Sequence, residues 1–134
     1  MAGTSTDGAD APYWANLSDG RLSMQCCQGC GDWKWPAVTR CGRCGTDEPQ
    51  WRELPFEAVV FSWTKVHYAF GGTDGIAAPY ITVLAALPQA GNRRLFGLFE
   101  GDETQLDFDL PLVGRASTTR FGSIDIPSIR WRLA

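Results

Sequence analysis

With 134 residues, 44% hydrophobic and 20% charged, the chain is one ordinary domain or two very small ones, and its composition is globular rather than disordered. A formal charge of −3 argues against a general nucleic-acid binder, whose domain is usually basic, and no run reaches the ~20 apolar residues of a membrane-spanning helix. The small, polar and acidic start is unlike a signal peptide, so a cytoplasmic protein is expected.

Residues 1–11, rich in Gly, Ser, Thr and Asp, read as a flexible tail. Residues 12–25 read as an N-terminal amphipathic helical segment: Tyr13, Trp14, Leu17 and Leu22 recur at roughly helical spacing, and Gly20 supplies a stop. So short a helix is marginal in water and must lie on something, either the segment that follows or another subunit.

Residues 26–51 carry the cysteines. Cys27-Gln-Gly-Cys30-Gly31 and Cys41-Gly-Arg-Cys44-Gly45 are two C-x-x-C-G knuckles within one short span. Two intervening residues let a tight turn aim both sulfurs of a pair at one point, and four thiolates at about 2.3 Å form a closed tetrahedral zinc site. The glycine after each pair suits a turn that needs positive φ. Cys27, Cys30, Cys41 and Cys44 are therefore the expected ligands of one structural zinc in a rubredoxin-like ribbon, with Cys26 left over. Iron can occupy similar knuckles, so thiolate ligation alone does not identify the metal. Disulfides need an oxidising compartment, and a redox C-x-x-C needs a βαβ setting that is absent here. One zinc held by four thiolates would take the charge to roughly −5.

Residues 52–134 turn to β texture. Strands are predicted over 56–66, 79–87, 93–100, 112–121 and 126–133. They are separated by a glycine-rich loop at 67–78, a turn at 88–92 and an acidic connection with weak helical tendency at 101–110. Five short strands in about eighty residues suit an OB-type barrel; a sandwich or an SH3-like barrel fits the periodicity almost as well.

Catalytic constellations are scarce. His67 is the one histidine, which leaves no Ser-His-Asp arrangement to propose. Cys26 has no evident base beside it. The acids Asp102, Glu103, Asp107 and Asp109 read as a solvated connection. Ten of the twelve cations are arginine; Arg93, Arg94, Arg115 and Arg120 are of a kind that pairs with phosphate, but strand alternation does not gather them into one patch. Phe61, Trp63, Tyr80 and Phe96 read as barrel core, or as stacking platforms in a single-stranded nucleic-acid binder. Trp33 and Trp35, between the knuckles, read as an interface because so small a ribbon cannot easily bury both.

In order and spacing these motifs resemble the DUF35 family. An aromatic helix leads to Gly20-Arg21-Leu22, then Gln25-Cys26-Cys27-Gln28-Gly29-Cys30-Gly31, Pro36 and the second knuckle. Phe61-Ser62-Trp63-Thr64, Pro79-Tyr80, Val113-Gly114-Arg115 and Ile126-Pro127 follow, so the resemblance spans residues 13–131. Cys26 stands where the family commonly has Arg or Lys. The resemblance implies a mainly β protein with a short N-terminal helix, a zinc ribbon and a five-stranded OB-fold barrel. It further implies a non-catalytic accessory subunit that assembles with a thiolase-fold partner, as a hetero-oligomer of α2β2 type. Such complexes act on an acyl-CoA by thiolysis, retro-aldol cleavage or acyl transfer, and the small subunit shapes or covers the CoA-thioester entrance. A single-stranded nucleic-acid module is the alternative.

Overall fold

The computed structural model describes residues 8–71, 73 and 75–134; most of the expected tail therefore lies outside the described residues. Helix α1 runs Ala11–Ser18, with Pro12 in its first turn, where a missing N–H costs nothing. Tyr13 and Leu17, four residues apart, form its buried stripe. The N–H groups of Gly20 and Arg21 fold back onto the carbonyls of Leu17 and Asn16 at 3.0 and 2.9 Å, with Gly20 at φ +82°, and the helix ends there.

The segment 12–25 is thus not continuously helical. Leu22–Cys26 is strand β1, buried at all five positions. It is buried because it is the central strand of a three-stranded sheet, pairing antiparallel with β2 (Trp33–Lys34) on one side and β3 (Gln50–Leu54) on the other. The registers Gln25↔Lys34 and Gln25↔Trp51 place the ribbon sheet directly beside the knuckles, and β3 carries that sheet past Trp51 to Leu54.

The remaining five strands form a closed barrel in the order β4-β5-β6-β8-β7: β4 (Glu57–Val66), β5 (Tyr80–Leu87), β6 (Arg93–Phe99), β7 (Pro111–Phe121) and β8 (Ile124–Leu133). All pairings are antiparallel except β6–β8, the short parallel seam Leu98↔Arg130 and Phe99↔Trp131 that closes the barrel. The acidic connection contains a single 3-10 turn, Glu103–Gln105, capped by the Asp102 carboxylate accepting from the Thr104 N–H at 3.0 Å. Among the described residues no helix is long and apolar enough to cross a membrane.

Alternation along the barrel strands points Val60, Ile81, Val83, Ala85, Leu87, Leu95 and Leu112 inward. Trp131 is the largest wholly enclosed side chain, and two glycines make room for it. A Cβ at Gly97 on β6 would stand 2.5 Å from Trp131 Cδ1 and 2.8 Å from the Ile129 carbonyl oxygen. A Cβ at Gly114, its partner on β7, would stand 2.7 Å from Trp131 Cε3. Gly97→Ala and Gly114→Ala are each expected to lower stability by about 1–3 kcal/mol through overpacking. The loss from Gly114→Ala should shrink markedly in a Trp131→Leu background, since the clash is with the indole; urea unfolding of the four Gly114/Trp131 combinations measures that coupling.

Candidate metal centre

The two knuckles fold identically. In the first, the Gly31 N–H donates to the Cys27 carbonyl at 2.7 Å and the Cys27 N–H to the Asp32 carbonyl at 2.8 Å. In the second, the Gly45 N–H donates to the Cys41 carbonyl at 2.8 Å and the Cys41 N–H to the Thr46 carbonyl at 2.9 Å. Gly31 and Gly45 sit at φ +78° and +82°, a conformation that costs glycine little and other residues more.

These turns bring the sulfurs of Cys27, Cys30, Cys41 and Cys44 within 4.8 Å of one another, a group that could hold a metal ion. Cys27 to Cys44 is 3.5 Å and Cys30 to Cys41 is 3.7 Å. A tetrahedron with metal–sulfur bonds of about 2.3 Å has edges of about 3.8 Å, so the spacing fits one ion. Cys27 and Cys41 are buried, Cys30 and Cys44 exposed, so the pairs clamp the site from the core side outward. Cys26 is buried outside the group, its Sγ 3.5 Å from the Gly31 carbonyl oxygen.

The electrostatics call for a cation. The Cys44 backbone N–H, acting against burial, and the Arg43 N–H, 3.4 Å from Sγ, draw the Cys41 thiol down to about 6. Cys30 is pushed up to about 11: the Asp32 backbone N–H favours its thiolate, but burial and the three neighbouring thiols together outweigh it. Sulfurs this close cannot all ionise alone, and a bound divalent ion removes the conflict.

Around the thiols lies a charged layer that the spacing of the cysteines did not reveal. Asp32 takes Lys34 Nζ at 2.6 Å and has Arg93 and Arg43 at 3.7 and 3.9 Å. Asp32 first, and the Cys41 sulfur after it, raise the pKa of the Lys34 ammonium against the effect of burial. Arg93 Nε donates to the Trp33 carbonyl at 2.8 Å, tying β6 of the barrel to β2 of the ribbon. Gln25, buried in β1, clamps both backbone groups of Val38, at 2.9 and 2.8 Å. In sequence, an acid following a C-x-x-C-G knuckle and a lysine two residues on were the available signals.

Other candidates are dispersed. His67 is exposed where β4 ends. Arg115 forks onto Glu100 at 2.7 and 3.2 Å, Arg120 reaches Asp125 at 3.3 Å, and Arg94 stacks over the Phe61 ring at 4.3 Å. Trp33 and Trp35 are half-buried against the shared core, and Trp35 meets Tyr13 with ring centroids 4.5 Å apart. The ribbon does not have to bury them alone, because α1 and the barrel share the task.

A short helix, a four-thiol ribbon and a closed five-stranded barrel define a ribbon-and-barrel protein, the architecture of DUF35 proteins. Two solved structures share it. One, named Ltp2-ChsH2(DUF35) aldolase, matches with a TM-score of 0.79 at 19% identity, over 99% of this chain and 98% of that one. The other, a DUF35 protein of unknown function from Sulfolobus solfataricus, matches with a TM-score of 0.60 at 20% identity, over 96% and 87%. No family model and no curated protein matches the sequence. At about one residue in five identical, the likeness shows the fold.

Cys41→Ala should reduce bound metal from one ion per chain to near none, whereas Cys26→Ala should leave it at one. Elemental analysis of the dialysed proteins distinguishes the two, and metal loss in Cys26→Ala would contradict this choice of four.

Proposed function

We propose that this chain is a non-catalytic accessory subunit, stabilised by one zinc, that assembles with a thiolase-fold partner acting on an acyl-CoA and helps form or gate the thioester site. The observation that carries this reading is the near-complete overlap, 99% of one chain on 98% of the other, with a chain from the structure named Ltp2-ChsH2(DUF35) aldolase. The four thiols support zinc in a structural role: with all positions taken by cysteine, the coordination shell is closed and leaves none for water or substrate. Zn²⁺ supplies charge neutralisation and cross-linking there. The chain's own turns hold the sulfurs, and Lys34 and Asp32 orient the layer around them.

The surface suits a partner. Phe61, Tyr68, Phe70, Phe96 and Phe108 are all large exposed aromatics, the residue type enriched in interface cores. The chemistry of the complex, whether thiolysis, retro-aldol cleavage or acyl transfer, falls to the partner's residues. One observation favours a second reading as a single-stranded nucleic-acid module: Arg94 over Phe61, with Phe96 at 69% exposure, offers a cationic stacking platform.

Affinity purification of the tagged, zinc-loaded chain from native lysate, with mass spectrometry and a CoA-thioester assay, decides between them. A thiolase-like protein near one-to-one, with activity in the complex and none in the lone chain, is expected. Activity of the lone chain, or oligonucleotide binding that falls steeply with salt and no thiolase-like protein, would overturn it.

A further inference from the structure

The barrel is closed at one end of β6 and open at the other. Strands β6 and β8 bond only at Leu98↔Arg130 and Phe99↔Trp131; before that point β6 pairs with β5 alone and β8 with β7 alone. Helix α1 packs against β7 and β8, and an apolar groove of about 300 Å³ lies beside it. Tyr13, Trp14, Phe96, Phe121, Ile126 and Ile129 are among the lining residues, and the lining contains no Asp, Glu, Lys or Arg. By contrast, the cleft near Lys65 and Glu100 is lined by charges already engaged, Lys65 with Glu103 at 2.6 Å and Glu100 with Arg115 at 2.7 Å.

Of the polar side chains lining the apolar groove, Tyr80 and Thr82 are half-buried with no hydrogen bond among the described residues, Thr119, Ser128 and Trp14 are engaged within the chain, and Tyr13 is the one that is buried and unengaged. Thr119 and Ser128 share a hydrogen bond of 2.8 Å, and Ser128 accepts a second from Arg130 Nη1 at 2.8 Å. Trp14 Nε1 donates to Asp10 Oδ2 at 3.0 Å. Tyr13, only 4% exposed, has edge and tilted ring contacts with Trp14 and Trp35, but its hydroxyl has no hydrogen-bond partner among the described residues. Among the described residues Trp131 Nε1 is the wholly enclosed orphan; the Tyr13 hydroxyl is not wholly enclosed, and Tyr13 lines the groove. Burial raises the pKa of the phenol well above its usual range, so it remains a neutral donor.

We propose that this groove binds a compact, uncharged, apolar molecule carrying one oxygen that pairs with the Tyr13 hydroxyl, such as a ring-fused or aliphatic alcohol or ketone. A volume of 300 Å³ has room for about ten water-sized groups, which sets the scale of the ligand. Charged ligands are disfavoured because nothing in the lining can pair with them. The site belongs to this chain alone and does not depend on the accessory-subunit reading.

The test titrates the metal-loaded full chain with 2-naphthol and with naphthalene, two probes of nearly equal shape that differ by one hydroxyl. Binding is followed by ¹H–¹⁵N NMR at the Trp14 indole and the groove amides. Both should bind saturably, 2-naphthol the tighter. Tyr13→Phe should weaken 2-naphthol about fivefold, the scale of one net hydrogen bond, and leave naphthalene unchanged. Ile126→Trp should abolish binding of both, and Thr82→Trp on the opposite wall serves if that variant does not fold. Arg52→Ala, on β3 and outside the groove, should change neither. No saturable shift with either probe, binding that survives the blocking tryptophan, or equal weakening of both probes by Tyr13→Phe would each overturn the proposal.

Discussion

Trp131 lies between Gly97 on one neighbouring strand and Gly114 on the other, and the closure of the barrel depends on that fit. A five-stranded barrel has little interior, and an indole fills a large share of it only if the flanking positions give up their side chains. The parallel seam between β6 and β8 forms where this happens, at Phe99↔Trp131 and the adjacent Leu98↔Arg130. Beyond the seam no further β6–β8 pair forms, the two strands part, and the space between them needs another cover. Helix α1 supplies part of it, burying Tyr13 and Leu17. The position of the helix and the groove beside it are both consequences of how the tryptophan is housed.

The same economy joins ribbon to barrel. Neither unit has a core large enough to be comfortable alone. Tyr13, Leu22, Met24 and Leu54 from the helix and ribbon belong to one buried cluster with Val60, Leu112 and Trp131 from the barrel. At the edge of this shared core, Asp32 follows directly on the first knuckle turn and gathers Lys34, Arg43 and Arg93. Exposed ion pairs contribute little, but the Lys34 side chain is only 11% exposed and is screened less by solvent. The hydrogen bond from Lys34, above all, and the charges of Lys34, Arg93 and Arg43 hold the Asp32 carboxyl below its ordinary range. The thiol cluster therefore sits inside a charge-balanced joint, and holding the knuckles in place also holds Asp32 and Lys34 where the barrel's Arg93 meets them.

Much of this was legible because the signals are local. Two C-x-x-C-G turns state their own geometry, and alternating apolar residues state strands; the five barrel strands were found, with only their ends shifted by a residue or two. Leu22 was harder. Its spacing from Tyr13 and Leu17 fits a helix, yet Leu22–Cys26 is buried on every side because it is a central strand, and central strands lose the alternation that would identify them. The partial burial of Trp33 and Trp35 was hidden for a related reason: a ribbon considered in isolation offers little to cover them, and the shared core they pack against includes α1 and the barrel. The partners of Arg93, Arg94, Arg115 and Arg120 lie on other strands or across turns, so their engagement depends on register.

That engagement bears on what the molecule presents to its surroundings. Four arginines of the kind that binds phosphate are occupied within the chain, by Asp32 and the Trp33 carbonyl, by the Phe61 ring, by Glu100 and by Asp125. A phosphate-bearing ligand would have to compete with those contacts, whereas an apolar one meets aromatic surface directly. Four thiolates would close the shell of an ion held between them, and the lone histidine stands exposed at a strand end. The described surface is marked by an uncharged groove and exposed aromatic faces. They are the features on which the accessory-subunit proposal draws.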